Sequence, residues 1–375
     1  MSTSEFQSQP DRPPPNFQTG WVKWFRDNLF SSPFNTFLTI VAVYLLYLTL
    51  PWILQWAIFE ADWVGTTREA CETTDGQPRY GIGACWVFIS VRFNQIIYGF
   101  YPPELQWRPN IIAILLIVLL TGLLLKGVKH KQWIGAFTLI GFPIIAGILI
   151  HGGLFGLEVV DTDQWGGLML TLILSWVGII ASLPIGTALA LGRRSQMPIV
   201  RTCSIVYIEF WRGVPLITVL FMASVMLPLF LPEGTEFDKL IRCFIGIVLF
   251  QSAYMAEVVR GGLQAIPKGQ YEAADALGLS YWEKMNLIVL PQALKIVIPG
   301  IVNTFIALFK DTTLVYIVGL IEMLHILQIA GRDSEWIGFD TEGYVFAALL
   351  FWIFCYSMSH YSQSLEKKLH TGHKR

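Results

Sequence analysis

Four polar residues interrupt apolar stretches of this chain: Arg212, Glu257, Asn303 and Asp311. A charge held at membrane depth costs about 3 kcal/mol or more unless it is paired, so such groups are functional candidates by default. A zwitterionic solute needs a partner for its carboxylate and another for its ammonium, and Arg212 and Asp311 offer one of each. Arg212 precedes Gly213-Val214-Pro215, where a long helix is expected to break, and broken helices expose backbone groups to a passing solute. An ion pair with Glu209 that merely holds the fold is the alternative for Arg212. Glu257 sits near the edge of its apolar run, where an interfacial position is the alternative. Asn303 and Asp311 are eight residues apart, near one helix face, and for Asp311 the alternative is a pair with Lys310.

The second constellation is polar and lies outside the apolar runs. Pro267 suits the first turn of a helix, which continues through Tyr271, Glu272, Ala273, Ala274 and Leu277 until Gly278 supplies a left-handed stop. Ser280 then caps a second helix with Glu283 three residues on, forming a capping box, and that helix runs to Pro291. The spacing predicts helix, glycine elbow, helix. An amphipathic helix resting on lipid headgroups is the alternative, but such helices are usually basic on their polar face and this one is acidic through its first half.

The elements that carry these residues follow from composition. Of 375 residues, 54% are hydrophobic and 14% charged, against roughly 25% charged in soluble domains. With 14 Trp and 25 Phe, the chain reads as an all-α polytopic membrane protein. Apolar runs long enough to span fall at 34–58, 110–125, 133–151, 167–191, 203–231, 240–259, 291–320 and 344–362, about eight in all. A net charge of −1 gives no reason to expect nucleic acid. The polar, proline-rich start lacks the early apolar core of a signal peptide and reads as a disordered tail.

Counting Lys and Arg between spans sets the orientation. With the N-terminus inside, the inner segments 1–33, 126–132, 192–202, 260–290 and the tail after 362 hold well over twice as many as the outer ones, which carry most of the Asp and Glu. Both termini are then expected in the cytoplasm. Cys71 and Cys85 fall in the large outer loop 59–109, where an oxidising compartment makes them a disulfide candidate, although free cysteines are also common. Pro184 is expected to kink its span. The six His show no ligand spacing, so no metal is expected.

Glu272-Ala273-Ala274, then Gly278, then Ile288-x-Leu290-Pro291 resembles the signature loop of ABC importer permeases. The stretches 166–195, 207–217, 253–300 and 310–320 are similar to polar amino-acid permeases, over about 165–365. The first three spans resemble the extension of a long-chain subgroup that handles acidic and amide or general amino acids. The resemblance implies a permease core of five helices at 165–365, a three-span extension at 34–152, cytoplasmic tails at 1–33 and 366–375, and a bacterial inner-membrane location. It implies that the loop 260–290, with Gly269, Glu272, Ala273, Ala274 and Gly278, couples to separate ATPase subunits. It further implies a second permease, a periplasmic substrate-binding protein, and Asn303 with Lys310-Asp311 in the region lining the pathway. Where many short members have Thr after Arg-Gly and a Gln further on, this chain has Val214, Thr218 and Val219, so individual specificity contacts do not transfer. No G-x-x-x-x-G-K-[ST] loop occurs, since Gly-Lys is absent; the chain is read as no enzyme and without a cofactor, with ATP and Mg on the ATPase. A channel or an ATP-independent secondary transporter is the competing function.

Overall fold

A computed structural model describes residues 20–72, 82–125, 127–230, 232 and 237–370. Parts of the expected tails 1–33 and 366–375, namely 1–19 and 371–375, and loop positions 73–81 lie outside the described residues. Among those described, seven helices are long and apolar enough to cross a membrane, and an eighth crossing results if one bent pair counts as a span. Two compact units divide the chain; the first takes in the described residues to Gly65 and 69–87, the second 66–68 and everything from Phe88.

In the first unit a helix not expected from the sequence, α1 (Gly20–Asn28), follows the proline-rich start and precedes the first span. Its sequence explains this, because Trp21, Trp24 and Phe25 recur at helical spacing on one side with Lys23 and Asp27 on the other. Helix α2 (Pro33–Leu54) starts where Ser32 accepts the Asn35 N–H and Pro33 occupies the first turn; Thr39 fixes the connection by donating to Leu29 O at 2.8 Å. No residue of α2 is buried, as suits a helix apolar on every side. A π turn, Gln55–Phe59, ends it. Cys71 and Cys85 form a disulfide with Cα atoms 5.7 Å apart. Backbone bonds from Ala84 to Trp56 and from Trp86 to Asp62 pin the cystine to the end of α2.

Helix α3 (Trp86–Tyr98), too short to span and unexpected within the outer loop, belongs to the second unit from Phe88 on. That unit continues with α4 (Trp107–Leu124), α5 (Lys131–Ala136), α6 (Phe142–His151) and α7 (Gly167–Arg193). Then come α8 (Pro198–Gly213) and α9 (Leu216–Phe221), α10 (Lys239–Ala265), α11 (Lys268–Ala276), α12 (Tyr281–Glu283), α13 (Leu290–Ile296), α14 (Ile298–Asp311), α15 (Met323–Gly331) and α16 (Asp340–His370). Pro184 lies inside α7. The expected break at 213–215 is real: the chain turns by 104° between Pro198–Gly213 and the helical stretch Leu216–Phe230. Helices α7 and α10 form the centre. A Cβ on Gly186 would lie 2.7 Å from that of Met255, so the small residue lets the two backbones approach. Thr171 and Ser175 donate to carbonyls one turn back at 3.1 and 2.7 Å, which removes the penalty of burying a hydroxyl.

At one end of α7, extended backbone pairs Gly166 with Ile321 and Gly167 with Glu322. Glu322 is 1% exposed and caps α15 by accepting the N–H groups of Leu324 and His325, both at 2.8 Å. Burial outweighs those bonds and pushes its carboxyl up to about 7. A carboxyl raised by folding binds protons more tightly in the native state. Its contribution is therefore best below the ordinary carboxylate range and is lost as pH rises through about 7. Glu322→Gln should remove this slope: relative to wild type, the variant gains on the order of 3 kcal/mol between pH 4.5 and pH 8. Thermal unfolding of both proteins across that range in detergent checks it, and parallel curves would refute it.

Candidate functional site

Helix α7 ends in two arginines that the sequence reading counted only as inner-side charge. Arg193 donates Nη1 to Glu209 Oε1 on α8 at 2.8 Å and to Glu257 Oε1 on α10 at 2.9 Å. Arg260, one turn beyond Glu257, donates Nε and Nη2 to the same carboxylate at 2.7–3.1 Å. Arg212, at the end of α8, stands 3.9 Å from Glu209 Oε2 and from Glu257 Oε2, with its guanidinium 5.7 Å from the Tyr254 ring centre. Three arginines against two glutamates leave this cluster one positive charge in excess.

Glu257 is the hub, its side chain 17% exposed. It is not a free carboxylate, since its oxygens accept from Arg193 and Arg260. Arg212 differs: among the described residues it touches the cluster at ion-pair distance without a hydrogen bond, so its forked donors remain available to an anion. The expected Arg212–Glu209 pair exists, but Arg193 is the nearer partner of Glu209. Asn303 is exposed on α14, and Asp311 ends that helix, partly buried. Among the described residues, no hydrogen bond or ion pair joins either to Arg212 or Glu257. The structure thus brings together two of the four polar candidates and leaves two on another helix.

The loop 260–290 folds as its punctuation predicts. Pro267 precedes α11, and Gly278 takes φ +71°. The Gly278 N–H bonds Asp275 O at 3.0 Å and the Leu279 N–H bonds Ala274 O at 3.2 Å, the paired bonds of a Schellman stop. Ser280 and Glu283 form the capping box, and the two Ser280 bonds, led by its hydroxyl, hold the Glu283 carboxyl below the usual range. Through a π turn at Lys284–Val289 the second helix runs on into α13. Lys284 reaches across the elbow to Asp275. Of α11 only Ala274 is buried; Glu272, Ala273 and Gly278 face outward, as do Leu277 and Trp282 at 76% and 63% exposure.

Arg194 connects this loop to the cluster. It donates to Leu263 O at 2.7 Å and to the Tyr271 hydroxyl at 3.1 Å, and its guanidinium lies over the Tyr271 ring. Consecutive residues at the end of α7 therefore grip the ion cluster and the loop. Two arginines directly after an apolar run, with acids on neighbouring runs, were the available signal. What hid the link was that neither partner is near in sequence.

The family described as binding-protein-dependent transport system inner membrane components matches residues 182–371, half of the chain. The chain belongs to this family. Over 371 residues, 99% of each chain, it is 55% identical to the inner membrane amino-acid ABC transporter permease protein YhdY of Escherichia coli. It is 42% identical to the glutamate/glutamine/aspartate/asparagine transport system permease protein BztC of Rhodobacter capsulatus, with 97% of each chain covered. The probable glutamine ABC transporter permease protein GlnP of Bacillus subtilis is 33% identical over 202 residues, covering 91% of that protein but 54% of this chain. The protein is a membrane-embedded permease subunit of an ABC transporter and not an enzyme; in such importers the ATPase is a separate subunit.

Proposed function

We propose that this permease carries acidic and amide amino acids inward and that its loop 260–290 docks on the ATPase. The carrying observation is the match along nearly the whole chain, first three spans included, to a permease named for glutamate, glutamine, aspartate and asparagine. The exposed acid and apolar side chains around a rigid elbow suit a protein groove on the ATPase subunits, which bind ATP and Mg. Both termini and this loop face the cytoplasm in this reading, which the excess of Lys and Arg in these segments supports. A periplasmic binding protein delivers the substrate. The partner is a second, shorter permease resembling the relatives that match only about half of this chain; the 34–152 extension motivates that pairing.

In this reading Asp311 meets the substrate ammonium, Asn303 its polar end, and Arg212 its carboxylate with donors the ion cluster leaves free. Glu257 positions Arg212 rather than touching the substrate, because its oxygens are taken. One acid with one base suits zwitterions with acidic or neutral polar side chains. Asp311→Asn and Asn303→Ala in assembled complexes are expected to lower uptake and shift substrate preference with ATP hydrolysis retained. Unchanged uptake and preference in both would place the site in the partner permease.

A further inference from the structure

Between α4, α6, α7 and α10 lies a cavity of about 510 Å³. Its deep wall is hydrocarbon and aromatic: Leu116, Phe142, Ile173, Trp176 and Phe244. Apart from the Trp176 indole N–H, buried in the deep wall without a partner among the described residues, the polar groups stand at one end. Tyr98 donates to Asn110 at 2.6 Å, Thr162 bonds Asp238, and the His151 ring packs on Trp165. His151 ends its span, Trp165 and Asp238 just precede the spans that start at Gly167 and Lys239, and Asn110 lies about a third of the way into its own. From that end to Val177 is about nine helical residues, or roughly 14 Å, near half the hydrocarbon thickness.

Three occupants are conceivable and size with chemistry separates them. A polar solute finds in the deep wall a single donor, the unpartnered Trp176 indole N–H, and no acceptor, so its other polar groups would each go unpaired at a cost of several kcal/mol. A helix from another subunit is about 10 Å across, so three turns need roughly 1,300 Å³, more than twice the space. A methylene is about the size of a water molecule, roughly 30 Å³, so a chain of about sixteen carbons fills the cavity closely. We propose that this groove seats one acyl chain of a membrane phospholipid, its headgroup at the polar end. The lipid then fills the seam between α4 and α6 of the extension and α7 and α10. Because lipid tails are as apolar as the wall, packing holds the chain there and not transfer from water.

Gly147 lines the groove, and a Cβ built there meets nothing within 4 Å, so Gly147→Phe fills the space without disturbing the helix. The test uses the assembled complex in proteoliposomes containing phosphatidylethanolamine with a diazirine in the acyl chain, with cross-linked peptides mapped by mass spectrometry. Peptides of α6 and α7 that line the groove are expected to label strongly in wild type. Gly147→Phe should cut that labelling severalfold, with labelling of lipid-facing α2 unchanged. Groove peptides labelled no more than background would overturn the proposal, showing the cavity empty or covered by a partner. Equal labelling in the variant would overturn it too, since the lipid would then lie outside the groove.

Discussion

Gly278→Val should leave ATP hydrolysis running while uptake collapses. Nothing lies within 4 Å of a Cβ at this position, so the effect is one of backbone conformation alone. At φ +71° an L-residue costs about 1–2 kcal/mol, and a β-branched one more. The elbow gives way by losing its two closing bonds, and α11 swings relative to α13. Because every 1.4 kcal/mol is tenfold in an equilibrium, valine should reduce coupled uptake by at least about tenfold. Alanine should do less, and asparagine least, since it tolerates the left-handed region. Uptake and hydrolysis measured side by side across the three variants give the check. Glu272→Lys should uncouple likewise by reversing charge on the docking face. Normal transport by assembled Gly278→Val would mean that the elbow does not transmit force.

Glu257→Gln is expected to cause the largest loss of stability. It leaves Arg193, Arg212 and Arg260 facing one another with Glu209 alone to balance them. Removing one partner of a fully buried pair costs about 3–5 kcal/mol; with Glu257 still 17% exposed, the lower end of that range applies. A second change, Arg260→Gln, removes one of the stranded charges, so the double variant should recover part of the loss. A double-mutant cycle read by thermal unfolding of the purified complex measures the coupling. A neutral Glu257→Gln, or strictly additive changes, would show that the cluster holds nothing together. The cluster joins α7, α8 and α10, and Arg194 ties the same end of α7 to the loop. Force at α11 is thereby carried into three spans at once.

The spans were legible because twenty consecutive apolar residues have few other uses, and the elbow because Pro267, Gly278, Ser280 and Glu283 each constrain the backbone locally. The break before Pro215 was readable because Gly213 and Pro215 mark it locally, whereas Cys71 and Cys85 were only a candidate pair, placed together in an outer loop with free thiols as the alternative. Helix α1 was missed because nine residues with a charged face look like tail until the spacing of Trp21, Trp24 and Phe25 is noticed. Arg193, Arg194 and Tyr271 were missed because their partners lie 16 to 77 positions away, a distance no periodicity reveals. Nothing local marks Glu322 as buried; its 1% exposure goes with the backbone pairing of 166–167 with 321–322, far away in sequence. Packing decided these positions.

The central claim is that this chain turns ATP hydrolysis on a separate subunit into inward movement of polar amino acids. Reconstituting it in liposomes with its ATPase, a second permease and a binding protein tests that directly, with labelled glutamate, glutamine, aspartate and asparagine followed with and without ATP. Accumulation that requires ATP, the binding protein and both permeases is the predicted result. Uptake of the same solutes by this chain alone, without ATP, would contradict it.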